Sequence, residues 1–476
     1  MNAHTLKKMN LIETIAAPPS VDNEILTKKA PALAVFELFF RNEHPNVVVS
    51  YLKLCKEEGS AYDLMWISKQ KLFTTADLIP EIEEQKKKKK RKQEQSERRK
   101  EKKEKKEKKE QPLSLPSQLE AQTTKTIHDY GDFSPSDSTK ELVPLIDYTQ
   151  PIEDIPLFLV QLTRFQNNDE GFAIGVAFFH LLSDGLGAIR FINSWAKVAR
   201  GETLEANELP FLDRTLLKFS HKPVEQYFEH MELKPLPLIL GREDTSEERK
   251  KKTSATLLRL SPEQVEELKK KANEYHMKKK GSRCFSKYEA IGAHIWRCAS
   301  KARELGENQQ SVVRFHADIR SRMIPPLPKN YFGNALTQTA AKGYVGEITS
   351  KPLGDVSQMI REAIEFASDE FIRSQIDIIR GFEHLDDARA LFLGGEGDKF
   401  PYVGNPNFHL TSWMSMPVYE ADFGWGKPAY FGMASVFPHD RAVILLSPDE
   451  DGSVLVCLHF QIAHLELFKK FFYEDI

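Results

Sequence analysis

The segment that most constrains the fold is an apolar run that ends at a histidine. Residues 172–179 are small or apolar, and they lead directly into His180, which a Leu-Leu-Ser-Asp-Gly turn follows. A helical pattern then starts near Gly187. This order puts an imidazole at the end of a strand buried on both sides, and a carboxylate, Asp184, four residues later in the turn. A satisfied core histidine beside a turn aspartate explains the motif at least as well, because short motifs recur by chance.

Length and charge limit the kind of protein. A chain of 476 residues is long enough for two or three domains, and its net charge of −2 gives no global field for nucleic acid or a membrane surface. Four cysteines without a Cys-x-x-Cys pair predict neither a disulfide framework nor a zinc site. The first eleven residues have no sustained apolar stretch, and no apolar run approaches the ~20 residues of a membrane span. We therefore expect a metal-free cytoplasmic protein.

The first 126 residues differ from the rest and form an atypical N-terminal region. Residues 81–110 consist mainly of Lys, Glu, Arg and Gln, which predicts a solvated helix without an apolar stripe. The basic run Lys86 to Lys92 resembles a nuclear-localisation patch, although a solvated charge run is the more common explanation. Residues 111–126 have the composition of a linker.

From Ile127 onward the sequence predicts a compact α/β protein in two parts. Residues 127–217 form a first domain with strands at 155–165 and 171–180, and 218–252, rich in Pro, His and Glu, form a crossover. Residues 253–476 form a second domain, in which capping boxes at Ser261 and Ser286 open two helices. Further predicted elements are a helical region at 355–383 broken near Gly381, strands at 253–260, 312–317, 408–414, 429–436, 442–446 and 453–460, and a final helix at 463–473.

A second motif lies about 240 residues after the first, at Asp422-Phe423-Gly424-Trp425-Gly426. Together with His180-x-x-x-Asp184-Gly185, in this order and spacing, it resembles the paired signatures of the plant BAHD acyl-CoA-dependent acyltransferases. Within this family the resemblance is greatest to spermidine hydroxycinnamoyl transferases, with shikimate hydroxycinnamoyl transferases as near relatives. The resemblance covers about residues 127–476, and supporting stretches are 132–136, 289–297, 320–328 and 331–334.

The resemblance implies two chloramphenicol-acetyltransferase-like α/β domains, with mixed sheets and a channel between them. It implies acyl transfer from a CoA thioester, so that acyl-CoA is a co-substrate and no cofactor stays bound. His180 would act as general base at the channel centre, a role that an imidazole pKa near neutrality suits. Asp184 could orient the imidazole or hold the loop, and the resemblance favours the second role, with Arg320 as its partner.

Trp425 is a candidate donor to the oxyanion of the tetrahedral intermediate, because an indole N–H donates and does not accept. The alternative is that residues 422–426 form a structural turn, which Asp422, Gly424 and Gly426 shape while the tryptophan packs. The resemblance favours the structural role for the turn as a whole. No serine or cysteine stands in a nucleophile-like setting, although Ser183 stays open.

Coenzyme A brings phosphates, and loop-like basic clusters at 249–252 and 278–283 suit them, although plain solvated surface is an equally good explanation. Within and near these clusters, Lys251, Lys252 and Ser286 are the candidate CoA contacts. No glycine-rich nucleotide fingerprint occurs, so we do not expect nicotinamide or ATP chemistry.

The acceptor side offers one specific clue. By resemblance, Thr411 and Trp413 line the acceptor pocket, and shikimate-using relatives carry an arginine two residues after this tryptophan. Here that position is Ser415, and losing a guanidinium–carboxylate pair removes the main ionic reason to select shikimate. The sequence thus favours a cationic amine such as spermidine, and carboxylates that could receive it are Glu420, Asp369 and Asp377.

Two alternatives stay open. One is O-acyl transfer to shikimate, quinate or another alcohol. The other is a catalytically impaired family member that acts as a binding protein, because residues 1–126 lack the strand, helix and Tyr-Pro-Leu-Ala-Gly-Arg-like segment with which family members normally begin. That departure leaves the first domain incomplete. In either case we expect a monomer that contacts neither membrane nor nucleic acid.

Overall fold

The structure is a computed structural model of the chain. The residues that it describes are 117–146, 157–165, 171–178, 180, 182–217, 228–274, 283–380, 403–434 and 440–476. The predicted charged helix at 81–110 and the basic run at 86–92 lie outside these residues.

The first sheet has three strands within the described residues, in the order β1–β2–β3. β2 pairs parallel with β1 and antiparallel with β3, so the sheet is mixed. Helix α2 packs on this sheet. The rings of Phe191 and Trp195 meet the Phe158 ring of β2 edge-on, with ring centroids 4.9 and 6.1 Å apart. The elements of this part are β1 (Ser117–Gln122), α1 (Asp137–Lys140), β2 (Phe158–Arg164), β3 (Phe172–Phe178) and α2 (Gly185–Ala199).

Strand β1 lies in the segment whose composition predicts a linker, so that prediction is wrong over residues 117–122. The strand aligns with β2 from Ser117 opposite Leu159 to Gln122 opposite Arg164. Backbone pairing holds it there, and such pairing requires no alternation of apolar side chains. The sequence Ser-Gln-Leu-Glu-Ala-Gln lacks the run of apolar or β-branched residues that predicts a strand.

Strand β3 is less buried than its apolar sequence predicts. Of its seven residues Gly175 alone is buried, and the others are half-buried, so the prediction of a strand buried on both sides is wrong. The reason is that every residue of β3 lines a cavity between the two sheets. At Gly175 the chain of residues 142–143 passes so close that an added Cβ would lie 1.9 Å from the Leu142 carbonyl oxygen.

The second sheet has six strands in the order β4–β9–β8–β7–β5–β6 within the described residues. The β5–β7 and β7–β8 pairs are parallel and the other pairs are antiparallel. The predicted α/β class with mixed sheets is therefore confirmed. The strands are β4 (Thr253–Leu260), β5 (Gln310–Asp318), β6 (Leu336–Tyr344), β7 (Phe408–Ser412), β8 (Arg441–Leu446) and β9 (Val454–Gln461).

Helices cover one face of this sheet. The central one, α5, is buried along most of its length, and its Trp296 packs in one core with Phe315 of β5 and Leu410 of β7. The predicted capping boxes at Ser261 and Ser286 are both present. The helices are α3 (Ser246–Arg249), α4 (Pro262–Asn273), α5 (Lys287–Ala302), α6 (Val345–Ser350), α7 (Leu353–Phe366), α8 (Asp369–Arg380) and α9 (Ile462–Glu474).

The structure differs from the sequence-based prediction at three further places. The helical region that starts near residue 355 is interrupted at Ala367–Ser368, where the Ser368 hydroxyl accepts from the Phe371 N–H and starts α8. The predicted break near residue 381 lies outside the described residues. Residues 429–434 of the predicted strand at 429–436 are not in a strand. Strand β6 was not predicted, because Leu-Thr-Gln-Thr-Ala-Ala-Lys-Gly-Tyr is too polar to signal one.

Among the described residues no helix is long and apolar enough to cross a membrane.

Candidate active site

The loop that carries His180 connects β3 to α2, and neighbouring segments fix its backbone. The side-chain amide of Asn334 donates to the His180 carbonyl oxygen at 2.8 Å, and Arg214 donates to the Leu182 carbonyl oxygen at 3.1 Å. Leu182 and Ser183 are buried, whereas His180 is half-buried and lines the cavity. The imidazole thus stands at the wall of a cavity, on a loop whose carbonyl groups are held from behind.

Asp184 is buried, and donors surround its carboxylate. The Arg320 guanidinium lies 2.9 Å away, which is the ion pair that the family resemblance implies. The N–H groups of Gly187 and Ala335 each donate to it at 3.0 Å. The first of these bonds caps α2, and the second ties the loop to the second domain. With these donors in place the carboxylate anchors the loop.

Arg320 has further acceptors that keep it charged inside the protein. It donates to the carbonyl oxygens of Tyr331 and Gly333 at 3.1 and 3.3 Å. Burial lowers the pKa of Arg320, but the carboxylates of Asp184 and Asp318 outweigh burial and raise it overall. Arg320 consequently remains a cation beside Asp184.

Residues 331–334 form a clamp on the histidine loop that sequence reasoning missed. The Gly333 carbonyl oxygen accepts from the Ser183 hydroxyl and from the Asp184 N–H, both at 3.4 Å, and Asn334 holds His180 from the same segment. The Tyr-Phe-Gly-Asn string was part of the family resemblance, but nothing in it indicates which backbone its polar atoms would meet. Ser183, whose hydroxyl donates to a carbonyl oxygen, is not set up as a nucleophile.

The cavity between the two sheets has a volume of about 1930 Å³. Its walls are β3 and the histidine loop on one side, and the strands β5, β7 and β8 with the residues that follow β7 on the other. This is the channel between two domains that the resemblance implies. A cavity of this size holds an extended ligand in addition to a small one, since ordinary small-molecule sites measure ~300–1,000 Å³.

The three predicted acceptor residues Thr411, Trp413 and Ser415 all line this cavity. The Trp413 indole nitrogen lies only 3.8 Å from the point where a Cβ on Gly185 would stand, so the ring reaches the start of α2. Its backbone N–H donates to the Ile444 carbonyl oxygen at 2.8 Å and extends the pairing of β7 with β8. Trp413 is therefore the indole donor nearest to the histidine loop among the predicted residues.

The turn at residues 422–426 is built by its own backbone. Gly424 and Gly426 have φ values of 97° and 101°, a region that favours glycine, and their N–H groups donate to the Asp422 carboxylate at 2.7 and 3.0 Å. The hydrogen bond from the Gly424 N–H lowers the pKa of Asp422. These contacts agree with a structural role for the turn.

The oxyanion role predicted for Trp425 does not fit the structure. The indole packs edge-on against Phe172, with ring centroids 4.7 Å apart, at the first residue of β3. At ~3.3 Å per residue the strand is about 20 Å long, and His180 lies beyond its other end. Trp425 lines the cavity far from the imidazole and cannot donate to an atom held at His180.

The structure does not bring the predicted CoA contacts together. Ser286 lines the cavity, but its hydroxyl accepts from the Glu289 N–H and caps α5. Lys251 forms an ion pair with Glu248 at 2.6 Å, and neither it nor the exposed Lys252 is part of the cavity wall. Among the described residues no group of three or more His, Cys, Asp and Glu side chains is arranged to hold a metal ion.

Comparison with known proteins agrees with this architecture. The model of the transferase family matches residues 118–475. The hydroxycinnamoyl-CoA:piscidic acid hydroxycinnamoyltransferase of Actaea racemosa is 40% identical over 75% of this chain and 79% of its own length. The shikimate O-hydroxycinnamoyltransferase of Nicotiana tabacum is 34% identical over 75% of this chain and 78% of its own length.

A solved structure shows the same fold. The TRI101 protein of F. sporotrichioides, crystallised with coenzyme A and T-2, superposes with a TM-score of 0.57 at 19% identity, over 75% of this chain and 79% of that one. The fold is shared with that structure, while the family match and the two relatives define the class of protein as acyltransferases. The chain belongs to the transferase family whose members are the BAHD acyl-CoA-dependent acyltransferases.

Proposed function

We propose that the protein transfers a hydroxycinnamoyl group from a CoA thioester to a hydroxyl or amine of a small acceptor, with His180 as general base. The observation that carries this proposal is the setting of His180. Its loop is fixed by Asn334 and by the Asp184–Arg320 pair, while the imidazole faces a cavity that both sheets line. The activities named for the two relatives, both hydroxycinnamoyltransferases, supply the acyl group.

In this mechanism His180 takes the proton of the acceptor hydroxyl or amine as the acceptor oxygen or nitrogen attacks the thioester carbonyl carbon. The tetrahedral intermediate collapses, the carbon–sulfur bond breaks, and the proton passes from the imidazolium to the departing CoA thiolate. Such a base typically contributes about 10²–10⁴-fold in rate. No covalent bond to the protein forms, and Asp184 holds the loop through Arg320 and takes no part in the proton transfer.

The acceptor is the part of the proposal on which sequence and structure differ. The sequence favours spermidine, because Ser415 replaces an arginine, but a polyamine needs carboxylates around it. Among the described residues, the carboxylates that line the cavity are Asp184 and Asp318, and both bind Arg320. Asp369, another candidate, binds Arg373 at 2.6 Å. The Lys and Arg side chains that line the cavity are Lys140, Lys287, Arg320, Arg322, Lys427 and Arg441.

This charge balance favours an alcohol or amine that carries no multiple positive charge over spermidine. A polyamine would find, among the described residues, no carboxylate in the cavity wall other than the two that bind Arg320. The O-acyltransferase alternative therefore gains support, since shikimate and piscidic acid, the acceptors in the names of the two relatives, are acids.

The test is acyl transfer by purified full-length protein. Caffeoyl-CoA or feruloyl-CoA is incubated with spermidine, putrescine, shikimate and quinate, and products are identified by mass spectrometry. We expect His180→Ala to lower kcat about 10²–10⁴-fold while the variant melts at the temperature of the parent. Folded parent protein without turnover on any acceptor would leave the binding-protein alternative, and a fully active His180→Ala variant would remove the histidine from the mechanism.

A further inference from the structure

A row of basic side chains crosses the second sheet. In the strand register, His459 of β9 lies opposite Arg441 of β8, Arg441 lies opposite His409 of β7, and His409 lies opposite Arg314 of β5. Adjacent strands are ~4.8 Å apart, so the row extends over about 14 Å. Residues that pair in register project from the same face of a sheet, and these four side chains are therefore neighbours.

The row is on the face of the sheet that looks toward the cavity. The residues next to it along the strands, Phe408, Leu410, Ala442 and Ile444, belong to the core beneath the helices. Because successive side chains alternate between faces, the row projects away from the helices. His409 and Arg441 line the cavity directly, and so does His316, whose ring centroid is 5.2 Å from that of His409.

Three of the four side chains in the row are buried, and Arg441 is half-buried. His409 and Arg314 are each 1% exposed, and burial lowers the pKa of Arg441 to about 10. Arg314 donates to the Lys234 carbonyl oxygen at 3.0 Å, while its Nε and Nη1 have no hydrogen-bond partner among the described residues. The two guanidinium groups carry positive charge in a low-dielectric wall, and such a wall attracts a small anion.

His316 connects this row to the histidine loop. It is two residues from Asp318 on β5, a separation of about 7 Å. Asp318 accepts from Arg320, and Arg320 pairs with Asp184 in the loop of His180. His180, His316 and Arg441 line the same cavity, so an acid whose hydroxyl or amine stands at His180 shares that cavity with the row.

We propose that the half-buried His316 and Arg441, with the buried His409 packed behind them, form a subsite that binds the carboxylate of an acidic acceptor. The subsite rests on the proposed function, because it orients an acceptor for acyl transfer at His180. These side chains would take the place of the arginine that shikimate-using relatives carry at the position of Ser415. A phosphate of coenzyme A is the other anion that this chemistry could bind, and the two sources predict different kinetics.

The test uses pairs of acceptors that differ only in charge: shikimate, anthranilate and malate, each with its methyl ester, and spermidine as a cation. With caffeoyl-CoA as donor, we expect kcat/KM of the parent to be at least about tenfold higher for an acid than for its ester. Arg441→Gln should lower kcat/KM for the acid about 10–100-fold, the usual effect of losing a charge-assisted hydrogen bond, with the ester unchanged within about twofold.

Lys427→Gln is the matched control, because Lys427 is a cavity-lining cation that is exposed and paired with Glu450. It should keep the parent's ratio of acid to ester. If Arg441→Gln does not fold, His316→Gln, which changes a half-buried residue, tests the same ratio.

Three results would overturn the subsite. They are a parent that prefers esters or spermidine, a variant in which acid and ester decline equally, and a variant that raises KM for caffeoyl-CoA alone, which would assign the row to a CoA phosphate. Folded parent protein that acylates none of the acceptors would reject the proposed function, and the subsite with it.

Discussion

At the scale of single residues, the role of Asp184 follows from the donors that its two oxygens accept. Gly187 lies three residues after Asp184, whereas Arg320 and Ala335 lie 136 and 151 residues away in the second domain. A carboxylate bound in this way holds the histidine loop against the second domain. Its removal leaves a buried guanidinium with only the exposed Asp318 carboxylate as counter-ion, which is a cost to folding before it is a cost to catalysis.

We therefore predict that Asp184→Asn lowers the free energy of unfolding by about 3–5 kcal/mol, the usual effect of breaking a buried ion pair. Activity should decline because the loop of His180 is no longer fixed. The measurement is urea unfolding followed by circular dichroism, together with kcat at a temperature at which the variant is still folded.

Asp318→Asn is the control for this prediction. Asp318 binds the same arginine, but its side chain is 44% exposed, and an exposed pair contributes less than about 1 kcal/mol. An Asp184→Asn variant that melts like the parent and has lost its activity would contradict the anchoring role and restore a catalytic one.

Sequence reasoning located the histidine loop and the Asp184–Arg320 pair, because short motifs and family resemblance both point to them. It could not assign Asn334, since the atom that its side chain binds is a backbone carbonyl oxygen 154 residues away in the chain. It misplaced Trp425 for a related reason. The sequence shows that Trp425 has an N–H donor but not where the indole lies. Its contact with Phe172, at the start of β3, places the indole far from His180.

At the scale of secondary-structure elements, helix α5 contains a histidine that does no chemistry at the cavity. His294 is buried, and its Nε2–H donates to the Phe472 carbonyl oxygen of α9 at 2.8 Å. Burial lowers the pKa of His294 to about 4. The folded protein therefore keeps this imidazole neutral at a pH at which the unfolded chain protonates it.

This difference makes stability depend on pH. Between pH 6.5 and pH 4 the unfolded state binds a proton that the folded state does not, so the free energy of unfolding decreases as pH falls through that range. We predict that His294 accounts for a loss of about 2 kcal/mol between pH 7 and pH 5. Urea unfolding at both values should show a smaller loss in His294→Gln.

The exposed His128 provides the control, and His128→Gln should retain the full pH dependence of the parent. Equal pH dependence in the parent and in His294→Gln would show that other groups cause the loss.

Elements with local signals were predictable, and those without were not. The helices that start after Ser261 and Ser286 were located from their capping boxes, which act within four residues. Strands β1 and β6 escaped because partner strands hold their backbones while their own sequences are polar. Strand β3 looked fully buried because the residues that line an apolar cavity resemble those of a core.

At the scale of the whole molecule, contacts join the two sequence motifs although about 240 residues separate them. The ring of Phe423 meets Trp195 of α2 edge-on at 4.8 Å, and Arg200, at the end of α2, donates to the Asp422 carbonyl oxygen. Near β1, Phe133 stacks on Tyr430 at 4.7 Å. The second motif thus fixes the helix whose first turn carries the first motif, which explains how a turn remote from His180 can matter for catalysis.

Phe423→Ala tests this connection. Phe423 is 6% exposed, and removing a buried phenyl ring should cost about 3–5 kcal/mol. We predict in addition a lower kcat at temperatures at which the variant is folded, because α2 loses the contact that positions the loop of His180, although no group near the imidazole has changed. Urea unfolding and steady-state acyl transfer give the two quantities. Leu240→Ala, at a leucine 63% exposed, should alter neither. A Phe423→Ala variant that is destabilised but keeps the parent's kcat would restrict the second motif to folding alone.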